Sequence, residues 1–141
     1  MTSLSFPDVN VWLALLLEDH IHRALVRQWW DSAQSGMYFL RLTQVSVLRL
    51  LTTPAAMNGR PLRMTEAWSS YDHLFDDDRV AFLDEPANID VVFRKYSSKR
   101  HASPKLWADA WLLAFAECAG GTVITLDQAL AARASHTALL H

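Results

Sequence analysis

Cysteine is almost missing from this chain: Cys118 is the only one in 141 residues. That excludes an internal disulfide and a cysteine-rich zinc site, and beside Ala119 the residue reads as small core filler. No stretch offers the about twenty uncharged apolar residues that a membrane helix needs. The apolar run at 11–17 has no basic segment before it and meets an acid at Glu18, so it does not read as a signal peptide. A cytoplasmic location is the expectation. An excess of positive charge is also wanting. The 13 lysines and arginines against 15 acids give a net charge of −2, which makes no global electrostatic case for nucleic acid. Internal repeats and low-complexity linkers are absent. One domain over residues 1–141 is the expectation, long enough to bury a real core.

The charge that is present is unevenly spread. Residues 94–105 (RKYSSKRHASPK) hold Arg94, Lys95, Lys99, Arg100 and Lys105, with His101 and no acid. Residues 72–90 hold Asp72, Asp76, Asp77, Asp78, Asp84, Glu85 and Asp90. An anion-binding surface is therefore sought in the first of these segments.

Short apolar runs alternate with helical patterns. Strands are predicted at 3–7, at MYFL (37–40), at VAFL (80–83) and at TVITL (122–126), the last β-branched and preceded by two glycines. Helices are predicted at 10–17, 19–34, 43–51, 64–75, 87–97 and 128–134. The best-signalled helix has Ser103 as N-cap, Pro104 in its first position and Gly120–Gly121 at its end. Strands separated by helices imply an α/β fold, a mainly parallel sheet of four or five strands covered on both faces. Sites in such sheets form beyond the carboxyl ends of the strands.

Three aspartates stand at entrances to that edge. In FPDVNVWLALL (6–16), Asp8 follows the first strand, with Asn10 two residues on. Asp127 follows the fourth strand. Asp109 lies early in the apolar helix WADAWLLAFAE (107–117), which packs beside that strand if the helix returns antiparallel to it. Like charges gathered there repel and raise each other's pKa, and a divalent cation removes the conflict. Oxygen-only ligands favour Mg²⁺ or Mn²⁺ over zinc. Simpler readings stand beside this one: a turn or cap role for Asp8, a helix cap for Asp127, and an ion pair between Asp109 and Lys105 four residues back.

With these residues in view, the sequence resembles the PIN-domain ribonucleases, in particular the VapC toxins of bacterial toxin–antitoxin pairs. The resemblance rests on PDVNVWLALL, TQVSVLRLLTTP (43–54), SPKLWADAWLLAFAECAGG (103–121) and TVITLDQAL (122–130), in the family's order over most of the chain. It implies a three-layer α/β/α PIN-like fold. It implies a metal-dependent endoribonuclease in which Asp8, Asp109 and Asp127 hold the ion, supported by Asn10 and Thr125. The family commonly has a glutamate early in the third helix, followed by two apolar residues and an arginine. Here that run is Ser46-Val47-Leu48-Arg49, so the glutamate is absent, with Ser46 in its place and Gln44 nearby. Glu117, two turns after Asp109, is a further acid that could approach the same face.

Cleavage of RNA needs positive charge beside the acids. Arg94, Lys95, Lys99, Arg100 and Lys105, just upstream of Asp109, are the phosphate-contact candidates, with Arg49 at the rim. Their alternative is a solvated helix end and loop, and for Arg49 a structural ion pair. The resemblance further implies an antitoxin of the VapB kind covering the acidic pocket, and a homodimer for which residues 19–34 and 43–51 are the interface expectation. Other features are discounted. His20 and His22 lie two apart and would point to different faces of a helix, which disfavours shared metal ligation. Asp76-Asp77-Asp78 reads as a solvated helix end. The six tryptophans read mostly as core or interface, and Trp29–Trp30 cannot both face the core. Two rival functions remain: a PIN fold that binds RNA or protein without cutting, and a haloacid-dehalogenase-like phosphatase. The phosphatase would place an acid where Asn10 stands and a lysine at a later strand end, which is not evident.

Overall fold

The first strand, β1 (Leu4–Pro7), runs through the middle of the molecule, and Ser5, Phe6 and Pro7 are buried. The computed structural model describes residues 3–141. After β1 come α1 (Val9–Leu16), α2 (Arg23–Ser32), β2 (Gly36–Phe39), α3 (Arg41–Leu51), α4 (Met64–Leu74), β3 (Val80–Phe82) and α5 (Ile89–Ser97). Then follow α6 (Leu106–Ala119), β4 (Thr122–Thr125), α7 (Gln128–Ala131) and β5 (Thr137–Leu139). The strands form one sheet in the order β3-β2-β1-β4-β5, and every pairing is parallel. Each crossover is helical, as parallel neighbours require. The chain departs from β1 in one direction to β2 and β3, and returns to β4 on β1's other side. The carboxyl ends of β1 and β4 are thus adjacent where the strand order reverses.

Two apolar clusters cover the sheet. On one face Val11, Trp12, Val26, Val47 and Tyr71 pack against Met37, Phe39 and Ile124. Trp12 is fully buried and stacks on Phe39, with ring centroids 3.9 Å apart. On the other face Leu112, Leu113, Phe115 and Ile89 pack against Phe6 and Val123, with Cys118 half-buried among them. The result is the three-layer α/β/α arrangement, with α6 pressed on the β1–β4 half of the sheet.

Several boundaries differ from the sequence reading. The second helix starts at Arg23, not at residue 19. His20 N–H and Arg23 N–H donate to Leu17 O and His20 O, which folds 17–23 into successive turns, and Ile21 is 88 % exposed instead of sharing an apolar stripe. The third helix starts at Arg41, so Thr43 is inside its first turn, its Oγ1 accepting the Leu40 N–H at 3.2 Å. The sixth starts at Leu106 with Lys105 as N-cap. Ser103 and Pro104 form a preceding turn, and the Ser103 carbonyl, not its hydroxyl, accepts from Leu106 N–H. The last helix is one turn, and β5 follows it as a fifth strand that apolar patterning did not mark. Asp77 is not merely solvated. It binds Arg79 Nε at 3.0 Å and Nη2 at 2.8 Å, while Arg79 Nη1 donates to Trp30 O and Ala33 O, tying the β3 approach to α2. These bonds hold the Asp77 carboxyl below the usual carboxylate range. Trp30 is buried and Trp29 half-buried against the same core. No helix among the described residues is long and apolar enough to cross a membrane.

Gly120 ends α6 in the left-handed region, at φ 74°, and Gly121 brings the chain onto β4. A Cβ at Gly121 would stand 2.7 Å from the Leu4 carbonyl oxygen and 2.5 Å from Phe6 Cε2. The backbone of β1 cannot yield there without disturbing the ladder that carries Asp8. Gly121→Ala is therefore expected to destabilise the fold by about 1–3 kcal/mol, the usual range for overpacking. A urea unfolding curve with an unchanged midpoint would contradict this.

Candidate active site

Asp8 leaves β1 and caps α1. Its backbone N–H continues the β1–β4 ladder to Ile124 O at 2.9 Å, and its Oδ1 accepts the Val11 N–H at 3.1 Å. Its Oδ2 accepts the hydroxyl of Thr125, the fully buried last residue of β4. Thr125 Oγ1 in turn accepts the Asp127 N–H at 2.9 Å. Asp127 Oδ1 caps α7, accepting from Ala129 N–H at 2.8 Å and Leu130 N–H at 3.3 Å. The cap role weighed for Asp127 is thus real, and it fixes the side chain at the sheet edge.

Asp109 arrives from the other direction, in the first turn of α6, half-buried and without a hydrogen bond among the described residues. The ion pair with Lys105 is not formed. One cavity of about 150 Å³ is lined by Asp8, Asp109 and Asp127 together with Asn10, Thr43 and Ser46, over an apolar floor that includes Leu42, Leu112 and Leu130. The three acids assigned from sequence therefore face a single space.

Their electrostatics follow from that placement. Burial pushes the Asp8 carboxyl up. The Thr125 and Val11 hydrogen bonds oppose the rise, and the charges of Asp127 and Asp109 add to it. Burial also pushes Asp109 up, aided by Asp127 and opposed by Arg133. None of the three forms an ion pair among the described residues. Oxygen-only donors in mutual repulsion suit a hard divalent cation, and Asp8, Asp109 and Asp127 are the residues that could hold one. Among the described residues, no three acidic, imidazole or thiol groups are close enough to form a ready-made metal cluster. Asp8 and Asp127 are held by backbone donors, whereas Asp109 makes no hydrogen bond among the described residues.

The remaining candidates divide sharply. Asn10 and Ser46 line the cavity, and Thr125 supports Asp8. Gln44 does not reach it. Its side chain is buried on the opposite flank of α3, bound to Arg41 Nη1 and donating to Tyr71 OH at 3.3 Å. Glu117 also lies elsewhere, paired with Lys95 Nζ at 3.0 Å and with Tyr96 OH at 2.6 Å. Arg94 is tied to Asp90 at 2.7 Å. Two of the five upstream cations are thus already neutralised. Lys99, Arg100 and Lys105 are exposed and have no acidic partner among the described residues, and the same holds for Arg49, one turn beyond Ser46 on α3. Sequence reasoning took Thr43 only as a helix cap, and it missed Arg133 beside Asp109. Arg133 Nη2 donates to Tyr96 O at 2.8 Å. Nothing in the alanine-rich tail signalled it.

A three-layer α/β fold with a carboxylate cavity at the switch point of its parallel sheet defines the class to which this site belongs. The sequence pattern of the family described as the PIN domain matches residues 5–135. Ribonuclease VapC41 of Mycobacterium tuberculosis is 39% identical over 128 residues, covering 86% of this chain and 88% of the relative. Ribonuclease VapC44 of the same organism is 32% identical over 131 residues, covering 88% and 86%. Among solved structures, VapC20 of M. tuberculosis, titled a sarcin-ricin loop cleaving toxin, superposes with a TM-score of 0.65 at 14% identity, covering 91% of this chain and 93% of that one. FitAcB from Neisseria gonorrhoeae gives 0.61 at 22% identity, covering 97% and 96%. The chain belongs to the PIN domain family, in its VapC branch. The haloacid-dehalogenase reading is thereby set aside.

The raised carboxyls have a signed consequence. A folded-state pKa above the unfolded value means that ionisation disfavours the fold, so this contribution is most favourable below the unfolded pKa and is lost as pH rises through the folded one. Asp109→Asn, which removes one charge and no hydrogen bond, is expected to raise the metal-free melting temperature at neutral pH and to leave it unchanged near pH 3. A lower melting temperature at neutral pH would contradict the repulsion. Thr125→Val removes the donor to Asp8. By analogy with supporting groups at metal sites, it is expected to weaken divalent-cation affinity about 10–100-fold, read by calorimetric titration with Mn²⁺.

Proposed function

We propose that the protein is a metal-dependent endoribonuclease that hydrolyses RNA phosphodiester bonds, acting as the toxin of a VapBC-type pair. The observation that carries this reading is the meeting of Asp8, Asp109 and Asp127 in one cavity at the carboxyl edge of the sheet. The relatives called Ribonuclease VapC41 and VapC44 support the same activity. Members of this family are metal-dependent, and the oxygen-only donor set here favours Mg²⁺ or Mn²⁺. A bound cation of this kind polarises a water and offsets charge developing on the phosphate.

The chain's own residues do the rest. Thr125 and the Val11 N–H hold the Asp8 carboxylate facing the cavity, and Asp127 keeps its Oδ2 without a hydrogen bond while Oδ1 serves α7. Asn10 and Ser46 offer neutral polar groups at the cavity wall. Lys99, Arg100, Lys105 and Arg49 are the phosphate contacts, whereas Arg94 and Lys95 serve the α5–α6 surface through their acidic partners. The cognate antitoxin would cover the acidic cavity, and a homodimer would use residues 19–34 and 43–51, where Ile21 and Val45 are exposed. The cytoplasm is the compartment that suits an RNA-cutting toxin of this kind.

Wild-type protein, freed of antitoxin, is expected to cut structured RNA in Mg²⁺ or Mn²⁺ and to stop in chelator. Asp8→Asn, Asp109→Asn and Asp127→Asn are each expected to lower cleavage at least about 100-fold, the scale on which catalytic electrostatic groups act. Equal cleavage by wild type and Asp8→Asn would place the activity elsewhere. No cleavage by the wild type, with RNA still bound, would favour the non-cutting PIN module instead.

A further inference from the structure

Trp107 is 57 % exposed, although its sequence neighbours Leu106 and Ala108 line two different cavities. It is the second residue of α6, about 3 Å of helix rise before Asp109 and about 200° around the helix from it. Behind it Phe93 holds the indole at a centroid distance of 6.1 Å, and Trp111 backs Phe93 at 5.1 Å. The indole therefore has a supported inner side and a bare outer one. Between it and the loop before α6 lies a cavity of about 380 Å³, also lined by Lys99, His101, Ser103 and Pro104. That is room for a single ring system and its sugar, bounded by an aromatic face, a cation and an imidazole.

Trp68 is the other exposed tryptophan at 45 %. It lies on α4, near Glu66 and Asp72, and of the two arginines that precede it, Arg60 and Arg63, the second is paired with Glu66. Trp107 is different because the unpaired cations Lys99, Arg100 and Lys105 precede it within eight residues. An aromatic face beside a cationic track is the pattern used for unpaired nucleotides: the face stacks a base and the cations hold the backbone. Fully paired RNA hides its base faces and cannot use such a surface.

Resting on the ribonuclease reading, we propose that Trp107 is a stacking platform for an unpaired RNA base, with Lys99, Arg100 and Lys105 binding the phosphates beside it. Ala108, the next residue of α6, lines the acidic cavity, whereas Trp107 lines the separate cavity before the helix.

The test measures binding of fluorescein-labelled RNA in the Asp8→Asn background, which keeps the substrate whole. A single-stranded oligonucleotide and a fully paired duplex of the same sequence are compared across salt concentrations. W107A is expected to weaken single-strand binding about 5- to 100-fold, to leave duplex binding unchanged and to leave the salt slope unchanged. W107F is expected to recover most of the loss. K105A is expected to reduce the slope by about 0.7, the value for one single-strand phosphate contact. The indole is largely exposed, so circular dichroism should give W107A a native spectrum. Binding by W107A equal to its parent would overturn the platform and assign the indole to a protein contact. An equal loss on single strand and duplex would overturn it as well. If the Asp8→Asn parent itself binds no RNA, the ribonuclease reading falls and takes this inference with it.

Discussion

One hydroxyl joins the two halves of the site. Thr125 Oγ1 donates to Asp8 and accepts from the Asp127 N–H, so a single buried atom fixes the carboxylate at the end of β1 and the chain direction after β4. It does so only because β1 and β4 are neighbours, with Pro7 opposite Ile124 and the Asp8 N–H extending the ladder. The strand order β3-β2-β1-β4-β5 is thus the prerequisite of the chemistry. Any change that shifts this register by one residue turns Thr125 away from Asp8 and dissolves the arrangement.

Structural and functional duties coincide in these side chains. Asp8 and Asp127 are both helix N-caps, an ordinary use of aspartate that satisfies otherwise unpaired backbone N–H groups. A carboxylate has lone pairs to spare beyond one or two such bonds. Capping therefore orients the acid at low cost while leaving oxygen directed to the cavity. Asp109 has no comparable anchor and depends on the packing of α6, whose buried Leu112, Leu113 and Phe115 press it against β1 and β4.

The parts legible in the sequence were those with local causes. Strand ends followed by aspartate, and a helix stopped at Gly120–Gly121, are set by neighbours in the chain, so Asp8 and Asp127 are legible at the sheet edge from local pattern, and Asp109 joins them only through the packing of its helix. The rest is tertiary. Gln44 is close to Ser46 in sequence, but two residues on a helix stand about 200° apart, so nearness along the chain does not bring it to the cavity. A partner 27 residues away, Tyr71, captures it on the other side. Lys95 was counted among phosphate contacts because its acid, Glu117, is 22 residues distant, whereas the Arg94–Asp90 pair had the i,i+4 spacing that could have been read. Ser103 and Pro104 are favoured caps by type, yet the chain turns once more before α6 begins. β5 has only three residues, half-buried on the sheet edge, too short to display a period.

The substitution of serine for the family's glutamate changes the charge balance of this edge. Three carboxylates in a cavity of about 150 Å³ repel an approaching phosphate as well as each other. RNA docking and cation binding are then linked: whatever neutralises the acids favours the phosphate, and by reciprocity the phosphate favours the cation. With Ser46 in the wall, one negative charge fewer must be offset before RNA can approach. A cation bound there would have one acidic ligand fewer to hold it. The cationic loop at 99–105 works in the same direction, because its side chains are spent on no acid among the described residues. A chain with net charge −2 can therefore bind a polyanion, provided that its positive charge is concentrated where the negative charge is being cancelled.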